Sequence, residues 1–257
     1  MKEVKRGNGS KTVMVALSLL DWFGLERQQI GLSEFVNLSK IPKANVLRHL
    51  TALEKSGLIK QNLSTKKYQL GFRTLELAYL VNKQFSLRNM VLPYMERIKE
   101  ATNETVCLQI EDNGRGICIE RLESSNKLAY LPPLGRREYL HAGASRKVLM
   151  AFMSDERIGE ILNEKLEAVA PNTVTDPLQL RREIKSIREK GYAITESEHV
   201  DGVTAIATPI RDRNGYAVAS LSVVGPTFRI NEAQIEQYLE CLMKATLEAS
   251  NELGFQG

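Results

Sequence analysis

Apolar residues recur at helical spacing from early in the chain. Val13, Leu17, Leu20 and Phe23 keep to one face of a helix expected over residues 11–23, with Gly24 as its left-handed stop. Phe35 and Leu38, three apart, predict a second helix over 33–38, with Ser33 as N-cap and Glu34 in the first turn. A short connection through Pro42 leads to a third helix over 43–56, closed by Gly57, in which Val46, Leu50 and Leu53 form the core stripe. Between Leu58 and Gly71 two short strands flank a basic tip, the pattern of a wing. From 72 to about 85, Leu75, Leu77, Ala78, Leu80 and Val81 describe a helix too apolar for a free linker. Its face needs cover, from a second subunit or from its own domain.

Beyond residue 88 helices and strands alternate. A helix is expected at 92–101, then strands at 105–111 and 116–122 joined by a turn at Asp112, Asn113, Gly114 and Arg115. A short strand at 128–131 ends at Pro132 and Pro133, and helices follow at 145–153, 155–166 and 177–190. The last is bounded by Asp176 as N-cap, Pro177 at the first position and Gly191 at the end. Strands at 192–195, 203–210 and 216–224, with a turn at 212–215, and a helix at 232–253 between Asn231 and Gly254 complete the pattern. Antiparallel hairpins with helices against the sheet predict an α+β body rather than a doubly wound dinucleotide fold. The expected organisation is a winged helix-turn-helix domain over 1–74, a linker helix over 75–88 and a body over 89–257.

Composition narrows the class. Of 257 residues, 43% are hydrophobic and 26% charged, which suits a chain that buries a full core without staples. Cys107, Cys118 and Cys241 form no C-x-x-C pair, so neither a disulfide framework nor a zinc ribbon is indicated and a reducing compartment is expected. Lys2, Lys5 and Arg6 precede an apolar stretch at 13–20 that is too short to span a bilayer and is interrupted by Asp21. A soluble, unexported, cytoplasmic protein with no membrane partner is therefore expected. Charge is split along the chain: residues 1–74 hold 13 Lys or Arg against 5 Asp or Glu, and the remainder 22 against 26. Only the N-terminal third is suited to a polyanion.

The third helix presents the residue types that read a DNA groove. Lys43, Ala44, Asn45, Leu47, Arg48 and Thr51 lie on or beside its outer face. Arg bonds guanine bidentately, Asn bonds adenine, and Thr or Ala meets a thymine methyl. Lys66 and Lys67 on the wing, with the basic N-terminal arm, are placed to reach flanking phosphates. His49, beside the core stripe, reads as packed or phosphate-facing.

In the body, the small residues Ala142, Gly143 and Ala144 before a helix either expose backbone N–H groups to a carboxylate or serve close packing. Strand alternation puts Ser220 and Ser222 on one face, toward a ligand or toward solvent. His141, Ser145 and Glu198 or Asp201 can be drawn as a triad, but no nucleophile motif accompanies them. There is no G-x-G-x-x-G, Walker A or metal-ligand spacing. The turn at Asn113, Gly114, Arg115 and Gly116 lacks the helix a phosphate loop needs. No catalytic residue, cofactor or metal is predicted.

Several segments together resemble the IclR-type bacterial transcription regulators across nearly the whole chain. In the first domain these are Ile41-Pro42-Lys43-Ala44-Asn45-Val46-Leu47-Arg48-His49-Leu50, Leu53-Glu54-Lys55-Ser56-Gly57-Leu58 and Tyr68-Gln69-Leu70-Gly71. In the body they are Gly135-Arg136, Leu140-His141-Ala142, Lys147-Val148-Leu149-Met150-Ala151 and Gly191-Tyr192. Glu198, Gly202, Ile206-Ala207, Pro209-Ile210, and Ser222 with Gly225-Pro226 complete the signature.

The resemblance implies a winged helix, a helical linker, a GAF-like effector-binding domain and assembly as homodimers or homotetramers on double-stranded operator DNA. By position it implies effector contacts at Gly143, Ala144, Ser145, Thr195, Ala205, Ser222 and Val224, with Leu128 and Tyr130 as an apolar wall. The chain departs from the family at Arg146, where a small residue is usual, and at Tyr139, where a proline is common. A cation at 146 either favours an acidic effector or points outward.

The expected function is a DNA-binding repressor whose operator affinity is set by a small carboxylate-bearing metabolite. An enzyme acting on a small organic acid, with an accessory DNA-binding domain, is the rival from another class, and turnover of a bound metabolite would mark it. A ligand-free nucleoid-type binder would show uniform affinity across DNA sequences.

Overall fold

The computed structural model describes residues 10–24, 26–84 and 86–256, with side chains given outside 81–86. The chain divides into two compact units, Met1–Phe85 and Ser86–Gly257. The basic N-terminal arm and the Val81 side chain, both invoked from the sequence, lie outside what is described.

In the first unit α1 (Lys11–Ser18) tightens into a 3-10 turn, Leu19–Trp22, and ends where Phe23 becomes extended. Gly24 pairs with Arg27 in a bridge and is not the left-handed stop expected of it. The predicted apolar face is also corrected: Val13 and Leu17 are 54% and 43% exposed, and Leu19 is the residue sealed inside. Three residues per turn after Ser18 rotate the later side chains away from the 3.6-residue register on which the expectation rested.

The second helix, α2 (Leu32–Ser39), starts after Gly31, so Ser33 is not its N-cap, and it stops at left-handed Lys40 (φ 58°). Next, α3 (Lys43–Lys55) buries Val46, Leu50 and Leu53 against Leu19, Ile30 and Phe35. Two strands, β1 (Ile59–Gln61) and β2 (Tyr68–Leu70), pair antiparallel with Ile59 opposite Leu70. The Asn62 carboxamide accepts from the amides of Ser64 and Thr65 and so shapes the tip between them. The linker helix α4 (Phe72–Gln84) leaves Phe72, Leu75, Leu77 and Leu80 exposed.

The second unit opens with α5 (Ser86–Thr102). A hairpin follows, β3 (Thr105–Asp112) and β4 (Arg115–Leu122), closed by Asn113 and Gly114, both at positive φ (50° and 80°), as a two-residue type I′ turn requires. The strand expected at 128–131 does not form. Pro132 and Pro133 have no N–H for a ladder, and Leu128 O is taken by Arg229 Nη2 at 3.0 Å. The edge is instead β5 (Arg137–Tyr139).

Three helices come next: α6 (Ala144–Ala151), α7 (Asp155–Asn163) and α8 (Pro177–Lys190). The strands β6 (Ala193–Glu196), β7 (Val203–Arg211) and β8 (Ala217–Pro226) lead to α9 (Glu232–Glu252). The six-stranded sheet has the order β5-β4-β3-β8-β7-β6, every neighbouring pair antiparallel.

Helices cover both faces of this sheet, unequally. Val106, Leu108, Ile206, Leu221 and Val223 pack on α5 and α9 through Val91, Met95, Ile98, Leu242 and Ala249. The opposite face meets α6, α7 and α8 through Leu149, Ile158, Leu180 and Ile184, and there the strands present Ala193 and Ala207. In cross-strand register Ser222 lies between Cys107 and Ala207, and Val224 beside Ala205. Small side chains on that face leave room under the start of α6, and the candidate site occupies it. Among the described residues no helix is long and apolar enough to cross a membrane.

Candidate functional site

Two surfaces carry candidate chemistry, one in each unit. On α3 the buried stripe turns the other side of the helix outward: Lys43, Ala44, Asn45, Leu47, Arg48 and Thr51 are all exposed. The Thr51 hydroxyl donates to Leu47 O at 2.8 Å, so its methyl is the group left for a partner. His49 is packed, 7% exposed, rather than facing outward. Lys66 and Lys67 are exposed at the wing, where Asn62 N donates to Lys67 O at 2.8 Å. An exposed helix bearing Asn and Arg, beside a basic hairpin, is the arrangement that reads base edges while holding phosphates.

In the body a cavity of about 30 Å³ lies under the first turn of α6, more than the ~10–15 Å³ a buried water needs. Gly143, Ala144, Ser145 and Arg146 form its roof, and Tyr130 and Pro132 one side. Thr195, Ala205, Val224 and Gln109 rise from the strands, and Glu198 and His199 close it from the loop after β6. Gly143 takes φ +91°, and a Cβ there would lie 2.8 Å from Arg146 Nη2. The turn into α6 therefore calls for glycine on conformation and on space.

The roof is held by buried ions. Arg146, 4% exposed, donates from Nη1 to Glu138 Oε2 at 2.7 Å and from Nε to Ala142 O at 2.6 Å. It rests over Gly116 of β4, where a Cβ would come within 2.5 Å of its Cγ. Lys147, 1% exposed, reaches Glu183 Oε2 at 2.7 Å and Glu198 Oε2 at 2.6 Å. Glu198 also accepts from Gly143 N at 3.3 Å, and the Ala144 amide donates to Thr195 Oγ1 at 3.0 Å. Two of the helix-start amides expected to await a carboxylate are thus already engaged.

Burial raises the Glu138 carboxyl, but the hydrogen bond from His199 and the charge of Arg146 outweigh it and hold the group below its ordinary value. For Glu198 burial prevails over Lys147 and the carboxyl is raised. Burial lowers Arg146, and it pushes Tyr130 up to about 12.

Of the positions carried over from the resemblance, the structure brings Tyr130, Gly143, Ala144, Ser145, Thr195, Ala205 and Val224 around one cavity. Leu128 is left out, 60% exposed on its loop, and Ser222 is sealed in the sheet face with its Oγ unpaired, outside the cavity wall. Arg146 points inward. The triad drawn from sequence is not assembled: His141 Nε2 lies 2.9 Å from Glu167 O, and Glu198 is held by Lys147. Among the described residues no three His, Cys, Asp or Glu side chains group as metal ligands.

Sequence reasoning did not place Glu138 or Gln109 at the site, and it weighed His199 only as a remote zinc ligand. Gln109 carried a signal, a polar residue at an inward position of an apolar strand. Glu138 carried none, because a three-residue edge strand has no period to read.

Comparison with known proteins agrees with both units. Residues 12–63 match the IclR helix-turn-helix domain, and residues 79–251 match the bacterial transcriptional regulator IclR C-terminal domain. The chain is 30% identical over 249 residues to the HTH-type transcriptional regulator KipR of Bacillus subtilis, covering 96% of this chain and 99% of that one. It is 24% identical to the transcriptional repressor IclR of Escherichia coli, covering 91% and 86%. An IclR homologue of Microbacterium hydrocarbonoxydans, crystallised with 4-hydroxybenzoate, superposes with a TM-score of 0.81 at 27% identity, covering 95% and 99%. A winged helix with an outward reading face, a GAF-like α+β body and two family domains that together span most of the sequence identify the chain as a member of the IclR family of DNA-binding bacterial transcriptional regulators.

Proposed function

We propose that the chain is a cytoplasmic repressor that binds a palindromic operator as a homodimer or homotetramer and responds to a small carboxylate-bearing metabolite held in its body. The observation that carries the DNA half is the outward face of α3, where Lys43, Ala44, Asn45, Leu47, Arg48 and Thr51 are exposed beside Lys66 and Lys67. In this reading residues 1–74 bind DNA, 75–88 link, and 89–257 bind effector and oligomerise. The effector half is supported by the cavity and by buried polar atoms without partners at its wall, Gln109 Oε1 and His199 Nδ1. The homologue bound to 4-hydroxybenzoate, a carboxylate, lends the same support. Within this reading Leu128 and Ser222 drop out of the contact set.

To change operator affinity tenfold, the ligand has to favour one conformation by about 1.4 kcal/mol, within reach of one or two hydrogen bonds. Gel-shift titration on operator and scrambled DNA is the test. Arg48→Ala is expected to cost about 1–3 kcal/mol on operator and to relax specificity. Lys67→Ala is expected to weaken all DNA alike and to lower the salt slope by about one unit. Equal loss from Arg48→Ala on both sequences would remove base reading. No response of operator binding to any small carboxylate would leave a ligand-free binder.

A further inference from the structure

Arg146 places a buried cation against the effector cavity, and its counter-charge comes from the edge of the sheet. A guanidinium has five N–H donors that need acceptors once water is excluded. Nε and Nη1 have theirs in Ala142 O and Glu138, while Nη2 lies against Gly143 at the cavity roof. Glu138 is the middle residue of β5, three residues long and paired only to β4. Its second oxygen accepts from His199 Nε2 at 3.0 Å. Because a carboxylate only accepts, Nε2 carries the proton, and His199 Nδ1 is left buried without a partner. Across the cavity Gln109, 4% exposed, also has a buried and unpaired Oε1. These atoms form a wall built for a polar occupant, in a small cavity of about 30 Å³.

We propose that Glu138 is an internal stand-in for the effector's carboxylate, and that the effector binds by exchanging with it on Arg146. This rests on the reading of the body as effector-binding and specifies how the ligand is recognised. Exchange of one carboxylate for another keeps the buried guanidinium paired throughout. A neutral ligand that displaced Glu138 would strand the cation, and a cationic one would be repelled by it. The freed Glu138 carries β5 with it. As the shortest strand of the sheet, lying at its edge, β5 is the element that yields to enlarge the cavity. The helix start is not the anion's principal hold, since the Gly143 and Ala144 amides already have acceptors. Arg146 is therefore the specificity-determining residue.

The test is chemical rescue in the full chain. Glu138→Ala leaves Arg146 without its counter-ion and is expected to melt below wild type. Formate, compared with chloride at equal ionic strength, should raise the melting temperature of Glu138→Ala well beyond any shift in wild type, and formamide should not. The double variant Arg146→Met/Glu138→Ala should lose the rescue. Equal formate shifts in wild type and Glu138→Ala, or rescue that survives loss of Arg146, would overturn the exchange.

Should Glu138→Ala fail to fold, Glu138→Gln removes the charge at nearly constant volume. Calorimetry with lactate and lactamide is then expected to show lactate at least about tenfold tighter than in wild type, ~1.4 kcal/mol, with lactamide unchanged. Unchanged or weaker lactate binding overturns the proposal. If carboxylates shift operator binding of the wild type and bind Arg146→Met equally well, the exchange fails while the effector reading stands. If neither formate nor lactate acts on any of these proteins, the exchange fails, and the effector reading fails with it only where no small carboxylate shifts operator binding.

Discussion

At the scale of single residues, the unusual member of the body is a buried arginine, and its accommodation is distributed over the fold. Gly116 supplies the space and Glu138 the charge, with Ala142 O taking a second bond. Gly116→Ala is expected to force Arg146 off its seat and to cost about 1–3 kcal/mol, as overpacking does. Urea unfolding measures it, and in an Arg146→Ala background the cost should largely vanish. A cost that stayed the same would separate the two residues.

His141 makes a second residue-scale prediction. Burial, with Lys147, Arg115 and Arg146 adding to it, holds its imidazole below the ordinary 6.5, against a hydrogen bond to Glu167 O. The unfolded chain therefore takes up a proton near pH 6.5 that the folded chain resists. The contribution is fully present above 6.5 and is lost as pH falls through the lower folded value. Glu138, also depressed, loses its contribution in a more acid window, below 4.5. Thermal melts against pH should show His141→Gln flattening the decline just below 6.5, and Glu138→Gln the decline below 4.5. A His141→Gln profile parallel to wild type between pH 7 and 5 would contradict this.

At the scale of elements, helix boundaries decide where the functional groups stand. The start of α8 is set by Asp176, whose carboxylate accepts from the amides of Leu178 and Gln179, with Pro177 at the first position. That boundary positions Glu183 against Lys147. The start of α9 is a capping box of Asn231 and Gln234. Asp176→Ala and Asn231→Ala are each expected to cost about 1 kcal/mol. Because the two helices cover opposite faces of the sheet, the double variant should sum to within about 0.5 kcal/mol. Denaturant titration of the three variants checks both values, and a strongly non-additive pair would mean that the caps communicate through the sheet. At the start of α6 the capping groups, Glu198 and Thr195, come from remote strands and loops. The same groups line the cavity, so the cap of this helix and the floor of the site are one structure.

At the scale of the whole molecule, one winged helix reads too few base pairs for a unique address in a genome, and the proposed homo-oligomer would supply the rest through a second copy. The exposed apolar residues of α1 and α4, Val13, Leu17, Leu77 and Leu80 among them, are the surface suited to that copy. Light scattering at micromolar concentration should find the intact chain larger than a monomer. The double substitution Leu77→Glu/Leu80→Glu should lower the mass and weaken operator binding on the order of a hundredfold, the loss expected when two linked sites become separate. A double variant of unchanged mass and affinity would place the interface elsewhere.

What the sequence by itself determined is what local physics determines. The stripe of Val46, Leu50 and Leu53 turns Asn45 and Arg48 outward whatever surrounds α3, because a helix has one period. Asn113 and Gly114 make the β3–β4 turn because both tolerate positive φ, and Asp176, Pro177 and Gly191 delimit α8 by capping chemistry that needs no distant residue. Tertiary structure decided the rest. The 3-10 turn after Ser18 and the strand at 137–139 in place of 128–131 follow from packing and pairing that no local pattern encodes. Most of all, the cavity wall is assembled across the chain: Glu138 meets His199 from 61 residues away and Lys147 meets Glu198 from 51. Charges are free to pair at such separations only after the sheet brings their backbones together, so the sequence shows that Arg146 is present and the fold alone shows what holds it.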